Sequence, residues 1–438
     1  MPSFPLTSQD PDPRSTRRSR PMGRAFGSLL LAVLASTIVV ACSDEPSATS
    51  EGGDSEALRL SSEDVQVLGT SEDLMLVRDL EVDLDGTIWV LNDVPPYFVG
   101  FDSEGGVTSM GSQGGGPREF RHPAGLVGFQ DPDSPAAGIW VFDRGRHAMI
   151  RLTRAGAPAE SVMASDVVPL PNDVMPAQSL LSGEGGIPGP LAWIDGAAGM
   201  AVVAHAPGEP PRGPAFWRAR IVALDLDDGS FDERWDLRDL LDDPESHHPG
   251  ADEFMPVPVW AVCPDGAAWL YDPAGNRLRA LTDSPQAGSP GSAGAGEVEL
   301  PQARRVPLTP DRMFELLRPR MIEEVPSDQR PPDDQMREMF EAEMGSIIED
   351  SFASVLPEYF RMRCATDGTL WLQRFASQDG HGGAGWEWVR VSPATDPVRV
   401  ESVRFPDGFM AMRFDGDRAW GIVRDSFDVP SVAWIELP

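Results

Sequence analysis

The sequence contains no lysine, so all 36 of its Lys and Arg residues are arginines. This absence excludes catalysis through a lysine Schiff base and phosphate binding by a Walker-A or kinase lysine. The chain also lacks the HExxH zinc motif, a CxxC pair and the GxSxG nucleophile elbow. None of the standard signatures of lysine-dependent, zinc-protease or serine-hydrolase chemistry is therefore present.

Positive charge is scarce relative to negative charge. The chain has 69 acidic residues against 36 basic ones, which gives a formal net charge of −33. Binding to a phosphate backbone needs a basic face, so we expect no nucleic-acid partner. A chain of 438 residues can bury a sizeable core, and its 43 Gly and 43 Pro favour many turns and few long helices.

The first 41 residues have the pattern of an export signal. Five arginines precede an uncharged apolar run at residues 29–41, which is too short to span a bilayer comfortably. Residues 39–42 resemble the lipobox of bacterial lipoproteins, which implies cleavage before Cys42 and lipid attachment to it. Ser43 would then favour the outer membrane, whereas an ordinary signal peptide or an anchor helix remains the alternative. Residues 42–64 are predicted to be a flexible tether.

An internal repeat organises the rest of the chain. An apolar strand, an Asp-Gly turn and a strand with a tryptophan recur, with turns near Asp85, Gly138, Asp195, Asp265, Asp367 and Asp415. Five units carry the tryptophan, at Trp89, Trp140, Trp269, Trp371 and Trp420. Asp-Gly suits a tight two-residue hairpin turn, and we expect the tryptophans to be core residues. Four-stranded units at this spacing predict an all-β fold, a six-bladed β-propeller over residues 65–438. The third unit is degenerate, which leaves the exact blade count open.

Several of these segments resemble a known repeat. Residues 111–120, 141–156 and 270–282 are similar to the NHL-type repeat of bacterial six-bladed propellers, and residues 356–360 resemble a blade opening of exported propeller lipoproteins. The resemblance implies a ring of blades and names no activity. We expect residues 65–68 to pair with residues 431–437 and to close the ring.

A helical insertion is predicted between blades four and five, at about residues 309–356. Thr309 is a suitable N-cap before Pro310, and a second helix is expected to open at residues 331–334. Met336 and Phe340 belong to its apolar stripe. The insertion is either a lid on the propeller or a partner-binding helix.

Two cysteines remain once Cys42 is assigned to lipid attachment. Cys263 and Cys364 stand at matching positions just before an Asp-Gly turn. Matching positions of successive repeats usually lie too far apart for a disulfide, so two small buried thiols are expected. A disulfide is the alternative that an oxidising compartment permits.

Candidate ligand-binding residues cluster in the first two blades. Arg118, Arg144, Arg146 and Arg154 form a local basic set, and His122 lies among them in sequence. Such a set suits a carboxylate or sulfated ligand. Pairing of Arg144 and Arg146 with Asp143 is the alternative.

A metal centre is not expected from the sequence. The six histidines do not recur at one register of the repeat, so no cofactor is assigned and a divalent metal remains only an alternative. Catalytic residues are left unassigned.

These observations favour a lipid-anchored cell-envelope propeller that acts as a monomeric binding module for an unknown small molecule or envelope protein. The alternative function is a metal-dependent, lactonase- or lyase-like propeller enzyme with its site in the axial channel. A scaffold for an envelope complex is a third hypothesis.

Overall fold

A computed structural model gives the architecture of the chain. It describes residues 58–116, 119–129, 132–133, 136–152, 167–170, 174–176, 178–179, 187–188, 192–194, 197–204, 218–226, 229–236, 259–263, 267–272, 275–281, 296–300, 309, 311, 314, 318, 330–351, 358–374, 387–395, 398–425, 427 and 429–438.

Nearly all of the regular elements are strands. They are β1 (Leu58–Arg59), β2 (Val65–Thr70), β3 (Val77–Val82), β4 (Ile88–Asn92), β5 (Phe98–Phe101), β6 (Val107–Met110), β7 (Ser112–Gln113), β8 (Glu119–Phe120), β9 (Pro123–Phe129), β10 (Gly138–Asp143), β11 (Ala148–Arg151), β12 (Val167–Pro169), β13 (Val174–Pro176), β14 (Gln178–Ser179), β15 (Ile187–Pro188), β16 (Ala192–Ile194), β17 (Ala197–Ala204), β18 (Arg218–Leu224), β19 (Phe231–Asp236), β20 (Val259–Val262), β21 (Ala268–Asp272), β22 (Arg277–Leu281), β23 (Glu297–Glu299), β24 (Tyr359–Cys364), β25 (Leu370–Arg374), β26 (Glu387–Ser392), β27 (Arg399–Arg404), β28 (Phe409–Asp415), β29 (Arg418–Arg424) and β30 (Pro430–Glu436). A helix, α1 (Asp333–Ser351), lies between β23 and β24.

The described strands form six sheets of four or five strands and two short two-stranded pairs. Numbered along the chain, the first, second, fourth and fifth sheets contain the four-stranded meanders β3–β6, β9–β12, β20–β23 and β24–β27. The sixth sheet contains β28–β30, and its fourth strand is β2, from earlier in the chain. The third sheet differs because its inner position is split. Both β13 and β16 pair with the same strand, β17, and the short pair β14–β15 lies between them in sequence.

The innermost strand of each sheet lies at the centre of the molecule. These inner strands contact one another in turn: β3 with β9, β9 with β16, β16 with β20, β20 with β24, β24 with β28, and β28 with β3. Apolar clusters fill the spaces between successive sheets, including the space between the sixth sheet and the first. The predicted all-β propeller arrangement is therefore confirmed.

The last sheet is completed by the beginning of the propeller sequence. Strand β2 pairs with β30, with Val65 opposite Ile435 and Thr70 opposite Ser431. This confirms the predicted closure, and it joins the two ends of the propeller sequence in one sheet.

The hairpin turns have a different centre from the predicted one. The amide of Gly86 donates to the carbonyl of Asp83 at 2.9 Å, so Leu84 and Asp85 are the central residues. Gly86 follows them at a φ of 85°, and Gly368 repeats the arrangement at 82°. The prediction of a two-residue Asp-Gly turn was wrong. The loop has three residues, and its glycine, with positive φ, follows the two central residues of the turn instead of being one of them.

The repeated tryptophans are core residues, as predicted. Trp89, Trp140 and Trp371 are each only 1% exposed. The ring of Trp371 stacks on Phe414 of the sixth sheet, with 4.3 Å between centroids. In these five sheets, a large aromatic at one register thus packs against a neighbouring sheet.

Cys263 and Cys364 form a disulfide, which corrects the prediction of two thiols. Their Cα atoms are 5.1 Å apart, within the range that a disulfide requires. The expectation failed because Cys263 directly follows β20 and Cys364 ends β24, two inner strands that converge near the axis. Matching positions farther out in two sheets would be much more widely separated.

Part of the helical insertion is described, and it has a small core of its own. Phe314 and Phe340 are buried and pack edge to face, with 5.7 Å between ring centroids. Arg337 of α1 lies over the Phe314 ring and pairs with Asp311. No helix of the described part of the chain is long and apolar enough to cross a membrane.

Candidate functional site

One end of the propeller, here called the upper face, carries the candidate residues. Because neighbouring strands run antiparallel, the loops into the inner strands and the turns between second and third strands lie at the same end. His122 immediately precedes the inner strand β9, and Arg144 follows the second strand β10. The topology therefore brings both residues to the upper face of the second sheet.

A buried polar residue ties these loops together. The carboxylate of Asp143, which is fully buried, accepts the backbone amides of Arg121 and His122, each at 2.9 Å. It also accepts the amide of Arg146 at 3.2 Å. Three hydrogen bonds to one carboxylate fix the loop before β9 against the turn after β10.

The first sheet repeats this arrangement with an amide. Asn92 stands three residues after its tryptophan, as Asp143 does, and it is also fully buried. Its side chain donates to the carbonyls of Asp73 and Pro96 at 2.7 and 2.8 Å. This repeated polar position was missed in the sequence, although its fixed spacing from the tryptophan was visible there.

His122 and Arg144 lie side by side on this framework. The amide of Arg144 donates to the carbonyl of His122 at 2.9 Å. Arg144 is exposed, whereas His122 is half-buried. Arg78, at the start of β3, is buried nearby and pairs with Asp93. Among the residues that the structure describes, no carboxylate forms an ion pair with Arg144.

The surroundings of His122 favour its neutral form. Burial lowers the pKa of the imidazole, and the positive charges of Arg78 and Arg144 lower it further. Asp93 and Asp143 act in the opposite direction but more weakly. The imidazole is therefore neutral at neutral pH and can accept a proton when negative charge approaches.

The other predicted residues have separate positions. Arg146 donates from Nη2 to the carbonyl of Gly116 at 2.7 Å, and its Nε lies 3.9 Å from Asp143. These contacts hold the loop, and they match the pairing alternative for Arg146. Arg118, Arg154 and the lipidation candidate Cys42 lie outside the described residues.

A second charged group lies in the axial channel. Asp79 and Glu81 project from β3, and they pair with Arg363 and Arg413 of the fifth and sixth sheets, each at 3.1 Å. Asp79 also accepts the amide of Leu126 in β9 at 2.9 Å. Because the first and fifth sheets are not neighbours, the Asp79–Arg363 pair crosses the axis.

The channel carboxylates are thus engaged by arginines. Within the described ranges, no group of three or more His, Cys, Asp or Glu side chains is placed to hold a metal ion.

No family model and no curated protein matches the chain. A catalytically inactive virginiamycin B lyase from Staphylococcus aureus, in complex with quinupristin, is 12% identical; the alignment covers 85% of this chain and 99% of the lyase, with a TM-score of 0.38. A gluconolactonase from Xanthomonas campestris is 11% identical, with 85% and 89% covered and a TM-score of 0.40. At these values the similarity supports no statement about activity.

Proposed function

We propose that this protein is a lipid-anchored cell-envelope propeller that binds a ligand at the upper face of its first two sheets. The observation that carries the proposal is the exposed Arg144 beside the half-buried His122, on a protein of net charge −33. A rigid framework around Asp143 holds these side chains in place, as a binding site requires.

The cellular setting belongs to the same proposal. The protein is anchored by lipid on Cys42, with the outer membrane favoured, and the propeller acts as a monomer. The Cys263–Cys364 disulfide supports an exported location, because disulfides persist in oxidising compartments. We further propose that the six sheets are six blades of the NHL type, with the split third sheet as the irregular blade.

Binding can be tested without knowing the ligand. The full chain, purified in detergent, is screened by thermal shift against small-molecule fractions of a bacterial envelope extract. An active fraction should raise the melting temperature of the wild type but not that of the H122N/R144Q double variant. Arg399→Gln is the matched control, since Arg399 is exposed on β27 of the fifth sheet. A shift that persists in the double variant would overturn this placement of the site.

The metal-dependent enzyme remains the competing function, and the same protein tests it. Metal content and a calcium and zinc thermal-shift series are measured on the purified chain. Stoichiometric metal, with melting that rises as metal is added, would replace the binding module with the lactonase- or lyase-like enzyme.

A further inference from the structure

The upper face of the first two sheets has a specific electrostatic arrangement. Arg144 presents a guanidinium to solvent, and its backbone is fixed to that of His122 by a hydrogen bond of 2.9 Å. Beneath them, the positive charge of Arg78 is offset by its ion pair with Asp93. Unlike Arg78, Arg144 therefore forms no ion pair with a carboxylate of the described residues.

The groups around the imidazole come from three elements. Arg78 belongs to β3, and Asp93 follows β4. Asp143 is the last residue of β10, and Arg144 follows it. Asp143 is occupied by three backbone amides, and Asp93 by Arg78. Neither carboxylate is therefore available to neutralise the positive charges that Arg144 and a protonated His122 would carry together.

We propose that an oxyanion group, either a carboxylate or a sulfate ester, binds between the Arg144 guanidinium and the His122 imidazole, and that His122 takes up one proton from solvent as it binds. A guanidinium offers paired donors that match the two oxygens of such a group. The bound negative charge stabilises the imidazolium, which the two arginines otherwise disfavour. This inference rests on the proposed binding site and names its ligand class.

Proton uptake makes the affinity depend on pH. Since binding adds one proton, the affinity rises by up to about tenfold for each unit that the pH falls between the free and bound pKa values of His122. Above that window the arginine alone holds the anion, and the affinity becomes independent of pH.

The test follows His122 directly by NMR. The full chain is labelled at histidine, and the His122 signal is identified by its loss in the H122N variant. Its pKa is measured with methyl sulfate, with acetate and with the uncharged acetamide, at constant ionic strength. We expect methyl sulfate or acetate to raise the pKa of His122 and acetamide to leave it unchanged. The anion that raises the pKa shows whether the site takes a sulfate ester or a carboxylate.

Variants separate a bound anion from general screening. Arg144→Gln should abolish the rise caused by the anion, whereas Arg399→Gln should leave it intact. A pKa that the anions do not move, or that they move equally in R144Q, would overturn the inference. Because the envelope-extract screen can still find a ligand of another class at this site, that failure is distinguishable from failure of the proposed function.

Discussion

At the scale of single residues, buried polar side chains organise both the upper face and the channel. Asp143 and Asn92 fix loops through backbone hydrogen bonds, whereas Asp79 pairs with an arginine across the axis and Glu81 with one of the neighbouring sixth sheet. A buried polar group is costly to leave without a partner, so each of these positions is sensitive to substitution.

Asp143→Ala is expected to destabilise the propeller by about 2–4 kcal/mol, because it leaves buried backbone amides without an acceptor. Asp143→Asn should cost less, since one oxygen remains. Urea unfolding measures both variants. Asp417→Ala, at an exposed side chain, is the control and should change little. Equal midpoints for D143A and the wild type would contradict this role.

Glu81 gives the molecule a specific pH dependence. Burial raises the pKa of this carboxyl despite the opposing charge of Arg413. The folded protein then holds the proton at a pH where the unfolded chain has lost it, so stability falls as pH rises from the ordinary value of about 4.3 through the raised one.

Glu81→Gln should flatten this decline in the unfolding free energy. Urea titrations across the window compare it with Glu63→Gln, a change at an exposed residue. An unchanged slope of the unfolding free energy against pH in E81Q would show that Glu81 does not titrate in this way. A free energy that is lower by the same amount at every pH would report only the lost ion pair.

At the scale of elements, the strands and turns were largely predictable because their causes are local. The tryptophan register and the glycines placed the hairpins of the first and fifth sheets, although the turn centre was off by one residue. The split inner strand of the third sheet was not predictable, since β13 and β16 meet only through their common partner β17.

The site was predictable only in part, because some of its residues meet only in the assembled fold. Arg144 and His122 were visible as a local basic set. Arg78 was not, because it lies in another sheet and approaches His122 only after the inner strands assemble. The Cys263–Cys364 pairing likewise depends on how closely β20 and β24 converge.

The disulfide between two inner strands should stabilise the propeller by about 2–4 kcal/mol, because it restricts the unfolded chain. Replacing both cysteines in C263A/C364A should lower the denaturant midpoint accordingly. A reductant should lower the wild-type midpoint and leave the double variant unchanged. A wild-type midpoint that does not respond to complete reduction would contradict the prediction.

At the scale of the whole molecule, the ring depends on a pairing between distant parts of the sequence. Strand β2 closes the sixth sheet against β30, and apolar side chains fill the contact between that sheet and the first. Without β2, strand β30 would have an unpaired edge and the sixth sheet would lack its fourth strand.

Deleting residues 431–438 should therefore abolish cooperative unfolding, since it removes all of β30 except its first residue and leaves β2 without a partner. Deleting residues 43–55, which precede the described propeller, is the matched control and should leave the transition intact. Circular dichroism during urea unfolding measures both. A sharp transition in the shortened chain would show that closure does not hold the ring together.

The disulfide has a further consequence for the integrity of the chain. Cys263 and Cys364 lie on either side of α1, so the whole insertion belongs to a covalently closed loop. A protease that cuts once within this loop yields two fragments that remain bonded to each other. The nicked protein should run as one species without reductant and as two with it, and the insertion can thus be cleaved without releasing either part of the propeller.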